Sequence, residues 1–174
     1  TIDGGAGDDT LWANDGDDVI LGGDGSDNIL GGAGADNIDG GADNDILDGG
    51  TGNDIIAGGA GDDTIMAGIG DDTLSGGDGS DTLDMSAANG ATIDLANGTA
   101  SSDATGSDSI SGFENVIATD GDDTITGNAA NNVIDAGAGN DTVSIDAGND
   151  HLDGGDGIDT LDLSGTSGGG TVDL

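Results

Sequence analysis

Single apolar residues recur every nine positions along most of the chain. Nine such segments follow one another without a gap from Gly4 to Asp84, and five more run from Ala118 to Asp162. The eighth position is Ile, Leu or Val in all fourteen segments, whereas positions 7 and 9 vary in polarity. Because successive side chains of a strand point to opposite faces, positions 7 to 9 predict a three-residue strand with one inward side chain.

The first six positions of each repeat predict a tight turn. Position 4 is Gly in twelve of the fourteen repeats, with Asp43 and Ala130 as the exceptions, and Gly is also frequent at positions 1 and 2. Glycine permits positive φ angles and close approach of neighbouring backbones. Two turn–strand repeats make one coil, and coils must stack because one repeat cannot bury its apolar residue alone. The predicted fold class is therefore all-β, a flattened parallel β-solenoid of eighteen residues per coil.

Position 6 carries the strongest chemical signal. It is Asp in thirteen repeats, and the remaining repeat has Asn132 there. Stacked coils place these carboxylates in a column along each edge, about 4.8 Å apart, where like charges repel one another. A hard divalent cation, which prefers oxygen ligands, would remove this conflict.

The net charge makes such a cation a condition of folding. The chain has 37 acidic residues, no Lys or Arg, and a formal net charge of −37. This excludes a nucleic-acid-binding protein, because phosphate contacts need cations, and no apolar run approaches the roughly 20 residues of a membrane span. There is no Cys, which excludes disulfides and thiolate metal sites. So acidic a composition, with one Trp and one Phe, is typical of disorder unless a cation completes the fold.

The repeat G-G-x-G-x-D-x-U-x, in which U is a large apolar residue, resembles the RTX (repeats-in-toxin) nonapeptide of haemolysin-type calcium-binding regions. The resemblance implies a parallel β-roll in which each Ca²⁺ lies between a turn and the turn two repeats later, with about ten ions in all. The implied ligands are loop carbonyls and the position-6 side chains; Asn132 keeps an oxygen but lacks the charge. The implied metal-binding Asp residues are Asp9, Asp18, Asp27, Asp36, Asp45, Asp54, Asp63, Asp72, Asp81, Asp123, Asp141, Asp150 and Asp159.

The repeat pattern divides the chain into four segments. Residues 1–84 form the first array, 85–117 an interruption, 118–162 the second array, and 163–174 the start of a second interruption. Gly157–Leu174 resembles Gly79–Leu95, so the chain is expected to be a truncated segment of a longer array.

The first interruption contains two further signals. Ala91–Leu95 alternates in polarity and predicts a strand. Ser109–Ile117 falls back into the nine-residue register, with Gly112 at position 4 and Glu114 at position 6, and is interpreted as a degenerate repeat. We expect irregular or wider coils without calcium sites over residues 85–108.

No catalytic site is predicted, and the chain is not expected to be an enzyme. His151, the single histidine, occupies outward position 7 and is interpreted as a surface residue, with no nucleophile elbow beside it. Adjacent acids such as Asp8 and Asp9 recur in many repeats, which favours turn chemistry over a glycosidase pair. Thr is frequent at position 7, but Val19 and Ile55 interrupt the flat array that ice binding would need.

Three functions remain open. The first, which we favour, is a structural element of a large secreted adhesin, matrix fibre or surface-layer protein, with end-to-end or lateral self-association. The second is the C-terminal calcium-dependent secretion and folding tail of a type I-secreted enzyme such as a protease, lipase or epimerase. The third is a module that binds glycan or ice, with the outward Trp12 as a candidate contact. For all three, the resemblance implies a secreted or cell-surface bacterial protein that folds on calcium outside the cell, without membrane insertion.

Overall fold

The structure is a computed structural model that describes residues 1–163 and 171–173, and all regular elements in these ranges are β-strands. The first ten strands are β1 (Ile2–Ala6), β2 (Thr10–Asp15), β3 (Val19–Asp24), β4 (Asn28–Ala33), β5 (Asn37–Ala42), β6 (Ile46–Thr51), β7 (Ile55–Ala60), β8 (Thr64–Met66), β9 (Thr73–Asp78) and β10 (Thr82–Asp84). The other twelve are β11 (Ala91–Asp94), β12 (Thr99–Ser102), β13 (Gly106–Ser111), β14 (Asn115–Ile117), β15 (Thr124–Thr126), β16 (Val133–Asp135), β17 (Ala138–Gly139), β18 (Thr142–Ser144), β19 (His151–Asp153), β20 (Asp156–Gly157), β21 (Thr160–Asp162) and β22 (Thr171–Asp173). Nowhere in these ranges is there a helix long and apolar enough to cross a membrane.

The first compact unit consists of residues 1–83 and 105–113. Its strands form two parallel sheets, in the orders β1-β3-β5-β7-β9-β13 and β2-β4-β6-β8-β10. Most paired residues are eighteen positions apart, but Ile110 of β13 lies opposite Leu74 of β9, thirty-six positions before it. The parallel β-solenoid with eighteen residues per coil is confirmed.

One inward side chain per strand makes the core of this unit. The position-8 residues Ile20, Ile29, Ile38, Leu47, Ile56, Ile65, Leu74 and Leu83 are each 2% exposed or less. Position 7 faces outward, as the 56% exposure of Ile55 shows. The apolar core is therefore thin, and much of the cohesion between coils must come from their backbones and turns.

Most strands of the first unit are longer than the predicted three residues, whereas β8 and β10 have three. Strands β2 to β7 each have six residues and continue through the first three positions of the next turn. Pairing omits position 1 and resumes at position 2, where Gly5 lies opposite Gly23. The glycines of the turn therefore also belong to the sheet, which holds each turn against the turn of the next coil.

The second compact unit consists of residues 84–104 and 114–174, as far as these are described. Its sheets have the orders β12-β11-β15-β18-β21 and β14-β16-β19-β22, with β17 and β20 as a separate pair. The predicted strand at Ala91–Leu95 is confirmed as β11, which pairs antiparallel with β12 and parallel with β15. The interruption predicted at 163–174 lies mostly outside the described residues.

The register of residues 109–117 differs from the sequence interpretation. Ser109–Ser111 pairs with Thr73–Ser75 and so occupies positions 7 to 9. Asn115–Ile117 pairs with Val133–Asp135 and occupies positions 7 to 9 of the following repeat. Three residues separate these two strands, where a full repeat has six. The segment is therefore the end of one repeat followed by a shortened second repeat, and it is not a single degenerate repeat.

Replacing the buried Ile65 by Asp should destabilise the calcium-loaded protein by several kcal/mol, because the substitution places an unpaired charge in a core one side chain thick. Ile55→Asp makes the same chemical change at an outward position and should cost about 1 kcal/mol or less. Urea unfolding followed by circular dichroism at saturating calcium measures both. Equal losses of stability in the two variants would contradict the assignment of positions 7 and 8.

Candidate metal-binding turns

The turn backbone needs a left-handed conformation at two positions. Positions 2 and 4 have positive φ in most first-unit turns, with 120° at both Gly23 and Gly25. Among the described residues, the non-glycine residues with positive φ are Asn14 at position 2 (74°) and Asp43 at position 4 (73°). Both are residue types that tolerate this region. Asp43 thus keeps the turn conformation although it replaces a glycine.

Glycine at position 1 serves a different purpose, the close approach of oxygen atoms. A Cβ atom on Gly4 would lie 2.7 Å from Asp9 Oδ2 and 2.7 Å from the carbonyl oxygen of Gly22. The same combination, a position-6 carboxylate of the same repeat and a position-1 carbonyl two repeats later, surrounds Gly22, Gly31, Gly40 and Gly58. Each of these turns therefore brings a carboxylate oxygen and a carbonyl oxygen of the next coil to one small region without room for a side chain.

The position-6 carboxylates link successive coils through one of their two oxygens. The backbone N–H of Asp27 donates to Asp45 Oδ1 at 2.8 Å, and that of Asp45 donates to Asp63 Oδ1 at 2.8 Å. The same bond joins the other members of both columns, from Asp9 to Asp81 and from Asp18 to Asp72. Each Asp side chain therefore holds the coil before its own.

The second carboxylate oxygen is the unusual feature of these turns. In eight Asp residues, Oδ2 is buried and receives no hydrogen bond from any part of the chain that the structure describes. These residues are Asp9, Asp27, Asp36, Asp45, Asp54, Asp63, Asp108 and Asp141. A buried carboxylate oxygen without a donor is costly unless a cation lies against it. Together with the neighbouring carbonyls, these atoms fit a Ca²⁺ ion, which takes six to eight oxygen ligands.

Burial disfavours the ionised form of several position-6 carboxylates in the metal-free chain. Loss of hydration raises the pKa of Asp45, Asp63 and Asp108 from an ordinary 3.8 to about 6. The hydrogen bond from the preceding coil lowers each pKa, and repulsion from neighbouring carboxylates raises it further. The pKa values of Asp54, Asp72, Asp81 and Asp141 are raised for the same main reason. Protonation and cation binding are thus alternative ways to neutralise the columns.

Asp108 belongs to a column, although the repeat pattern did not predict it. It is 4% exposed, and its Oδ1 accepts the backbone N–H of Asp72 at 3.0 Å, as a position-6 residue of the next coil would. The signal in the sequence is residues 106–111, GSDSIS, which fit positions 4 to 9 of the repeat. The register chosen from Glu114 concealed it.

The second unit repeats this ladder but has two exceptions. Asp123, Asn132 and Asp141 donate their backbone N–H groups to Asp141, Asp150 and Asp159 respectively, at 2.8 to 3.1 Å. The side chains of Asp123 and Asn132, however, are themselves hydrogen-bonded within their own turns. Of the predicted second-array ligands, Asp141 has the buried, unpartnered Oδ2 that characterises the first array.

Carboxylates alone do not make a complete metal site in these turns. Within the described ranges, no three His, Asp or Glu side chains converge on one point. Beside Gly4, Gly22, Gly31, Gly40 and Gly58, the nearby oxygen atoms come from one Asp side chain and one backbone carbonyl. A bound Ca²⁺ would therefore need backbone carbonyl oxygens among its ligands.

Comparison with known families agrees with this geometry. The sequence model of a family described as RTX calcium-binding nonapeptide repeat (4 copies) matches residues 1–29, 21–56, 48–83, 108–143 and 146–170, which is more than half of the chain. The comparison with curated proteins finds no match. The chain belongs to the RTX calcium-binding nonapeptide repeat family, and its stacked turns form a calcium-binding β-roll module.

Proposed function

We propose that this module is a non-catalytic structural element of a large secreted bacterial protein, such as an adhesin, a matrix fibre or a surface-layer protein, and that Ca²⁺ completes its fold outside the cell. The observation that carries the proposal is the column of buried Oδ2 atoms in the turns. A chain without Lys or Arg has no side-chain cation of its own to neutralise them.

Each ion would lie where a position-6 carboxylate meets a carbonyl of the next coil. The proposed side-chain ligands are the position-6 Asp residues of the first array, Asp108 beyond it, and Asp141, Asp150 and Asp159 of the second array. Calcium would neutralise each carboxylate and tie two coils together, so occupancy of neighbouring sites should be cooperative. About ten ions, with dissociation constants of roughly 10⁻⁴–10⁻³ M, would suit an extracellular module.

Calcium concentration would then control where the chain folds. At the low calcium of a bacterial cytoplasm, repulsion among the carboxylates would keep the first array unfolded, a state that type I secretion through a narrow channel requires. Outside the cell, calcium would fold the same segment into stacked coils. A solenoid of this kind, with exposed carboxylates such as Asp8 and Asp62 on its turns, suits a spacer role in a larger assembly.

The direct test is circular dichroism of the whole chain in chelator and after addition of millimolar calcium. We expect a largely disordered spectrum in chelator and a large gain of β-structure with calcium, because the stacked carboxylates repel one another in the metal-free state. An equally β-rich spectrum in both conditions would contradict calcium-coupled folding.

Single carboxylate-to-amide substitutions separate the two Asp residues that stand side by side in a turn. Asp63→Asn keeps an acceptor for the backbone N–H of Asp45 but removes the charge at Oδ2, so we expect weaker calcium binding and a more stable metal-free state. Asp62→Asn is the matched control, because Asp62 is exposed and Asn44 and Asn53 already occupy its position in other repeats.

Calorimetric titration and the calcium midpoint of folding measure both variants. Asp108→Asn should behave as Asp63→Asn does, because each side chain accepts the backbone N–H of the position-6 residue in the preceding coil. Calcium affinity that changes equally in the Asp62→Asn and Asp63→Asn variants would refute the assignment of position 6.

Protons should compete with calcium for the columns. The pKa of Asp45, Asp63 and Asp108 is raised to about 6 in the folded, metal-free state, so that state binds protons more tightly than the unfolded chain. Protonation of these carboxylates therefore stabilises the metal-free fold; this contribution is fully present below about pH 4 and is lost as the pH rises through about 6. We therefore expect more metal-free β-structure and weaker calcium binding at pH 5 than at pH 7.5. Calcium affinities that are equal at the two pH values would contradict this linkage.

A further inference from the structure

Two turns of the second unit have positive φ at neither position 2 nor position 4 of the repeat. They are residues 118–123 and 127–132, where position 2 is Thr119 and Asn128. Neither residue is among those with positive φ in the described chain, and the position-4 residues of these turns are not either. These turns therefore do not share the backbone conformation of most first-unit turns, which are called calcium-type turns below.

Thr119 supplies hydrogen-bond donors to both oxygens of Asp123. Its backbone N–H donates to Asp123 Oδ2 at 2.9 Å, and its hydroxyl lies 2.8 Å from Oδ1 and 3.0 Å from Oδ2. The backbone N–H of Ala91 also donates to Asp123 Oδ1, at 2.5 Å. Thr119 and Asp123 are 1% and 2% exposed. The carboxylate that would need a cation elsewhere is thus already surrounded by protein donors.

The amide of Asn132 fills the corresponding place in the other turn. Its Oδ1 accepts the backbone N–H of Asn128 at 3.0 Å. Its Nδ2 donates to the carbonyl oxygen of Glu114 at 2.8 Å and to Asn128 Oδ1 at 3.0 Å. A neutral N–H donor therefore bridges a carbonyl oxygen and a side-chain oxygen, which is the task that a cation performs in a calcium-type turn.

These bonds remove the electrostatic reason for calcium at both edges of one coil. An Asp whose oxygens accept several hydrogen bonds is stabilised as the anion without a metal, and an Asn carries no charge to neutralise. The coil they close, residues 118–135, includes β15 and β16 and offers the backbone N–H groups of Asp123 and Asn132 to the coil that follows.

We propose that the turns of residues 118–135 are closed by protein hydrogen bonds in place of calcium, that this coil binds no calcium at Asp123 or Asn132, and that it folds together with its neighbours β11 and β14 before the metal arrives. It then serves as the template on which the calcium-dependent coils of the second array stack. Thr119 and Asn128 are positioning residues, because they hold the side chains of Asp123 and Asn132 in their turns. The inference does not rest on the proposed function, because it concerns the turns in which the carboxylate columns need no ion.

Hydrogen exchange of the full chain, read by mass spectrometry in chelator and in calcium, tests the template directly. In chelator, the amides of Thr119, Gly121 and Asn128 should exchange at least about tenfold more slowly than unstructured amides, because each donates to a polar side chain. The amides of Asp27 and Asp45 should be protected only with calcium. If the backbone amides of residues 119, 121 and 128 exchanged in chelator as fast as unstructured amides, the proposal would be overturned.

Three substitutions assign the effect to the side chains. Thr119→Val removes the hydroxyl and should abolish the chelator-state protection of Gly121, whereas Thr119→Ser should retain it. Thr124→Val makes the same chemical change at an exposed position of the same repeat and should leave exchange unaltered. If the Gly121 amide remained protected in the Thr119→Val variant, the Thr119 hydroxyl would not be what closes this turn.

The outcome separates this inference from the proposed function. If calcium fails to protect the first array while residues 119, 121 and 128 stay protected in chelator, the proposed function fails and the template stands. If the first array responds to calcium but residues 119, 121 and 128 need calcium as well, the proposed function stands and the template fails.

Discussion

Stacked carboxylates that have no side-chain cation to neutralise them are the constraint on which this structure depends. The chain contains 37 acidic residues without a Lys or Arg, and the solenoid brings the position-6 Asp of most repeats into buried columns. A core that receives one aliphatic side chain per strand cannot outweigh such repulsion by itself. The glycines at position 1, which let a carbonyl of the next coil approach each carboxylate, are best understood as preparation for an ion.

Adjacent Asp residues in one turn perform opposite tasks. Asp62 at position 5 is exposed and accepts the backbone N–H of Ser80 in the following coil, at 2.9 Å. Asp63 at position 6 is buried and accepts the N–H of Asp45 in the preceding coil, at 2.8 Å. The pair therefore connects three coils through side-chain-to-backbone bonds. This explains why paired acids recur along the chain without implying the proton transfer of a catalytic pair.

The second unit shows that the same structural problem has a second solution. Where the first array leaves Oδ2 buried and without a donor, Thr119 and the amide of Asn132 provide hydrogen bonds in the same part of the turn. On the proposals above, turns closed by a metal would make folding depend on calcium from outside, whereas turns closed by side chains would need no ion. A chain that contains both kinds would keep a local template while most of its coils require calcium to fold.

The sequence by itself determined the nine-residue period, the inward place of residues such as Ile65 and the position-6 Asp columns, because these follow from local spacing repeated many times. Tertiary structure decided where the period was broken. Residues 106–111 fit the repeat locally, but the bond between Asp108 and Asp72, thirty-six residues earlier, depends on the path of the intervening chain. The hydrogen bonds that occupy Asp123 likewise depend on how Thr119 and Ala91 approach it in space. A repeat motif records the chemistry that a turn can perform, whereas the neighbours that satisfy each oxygen are set by how the coils stack.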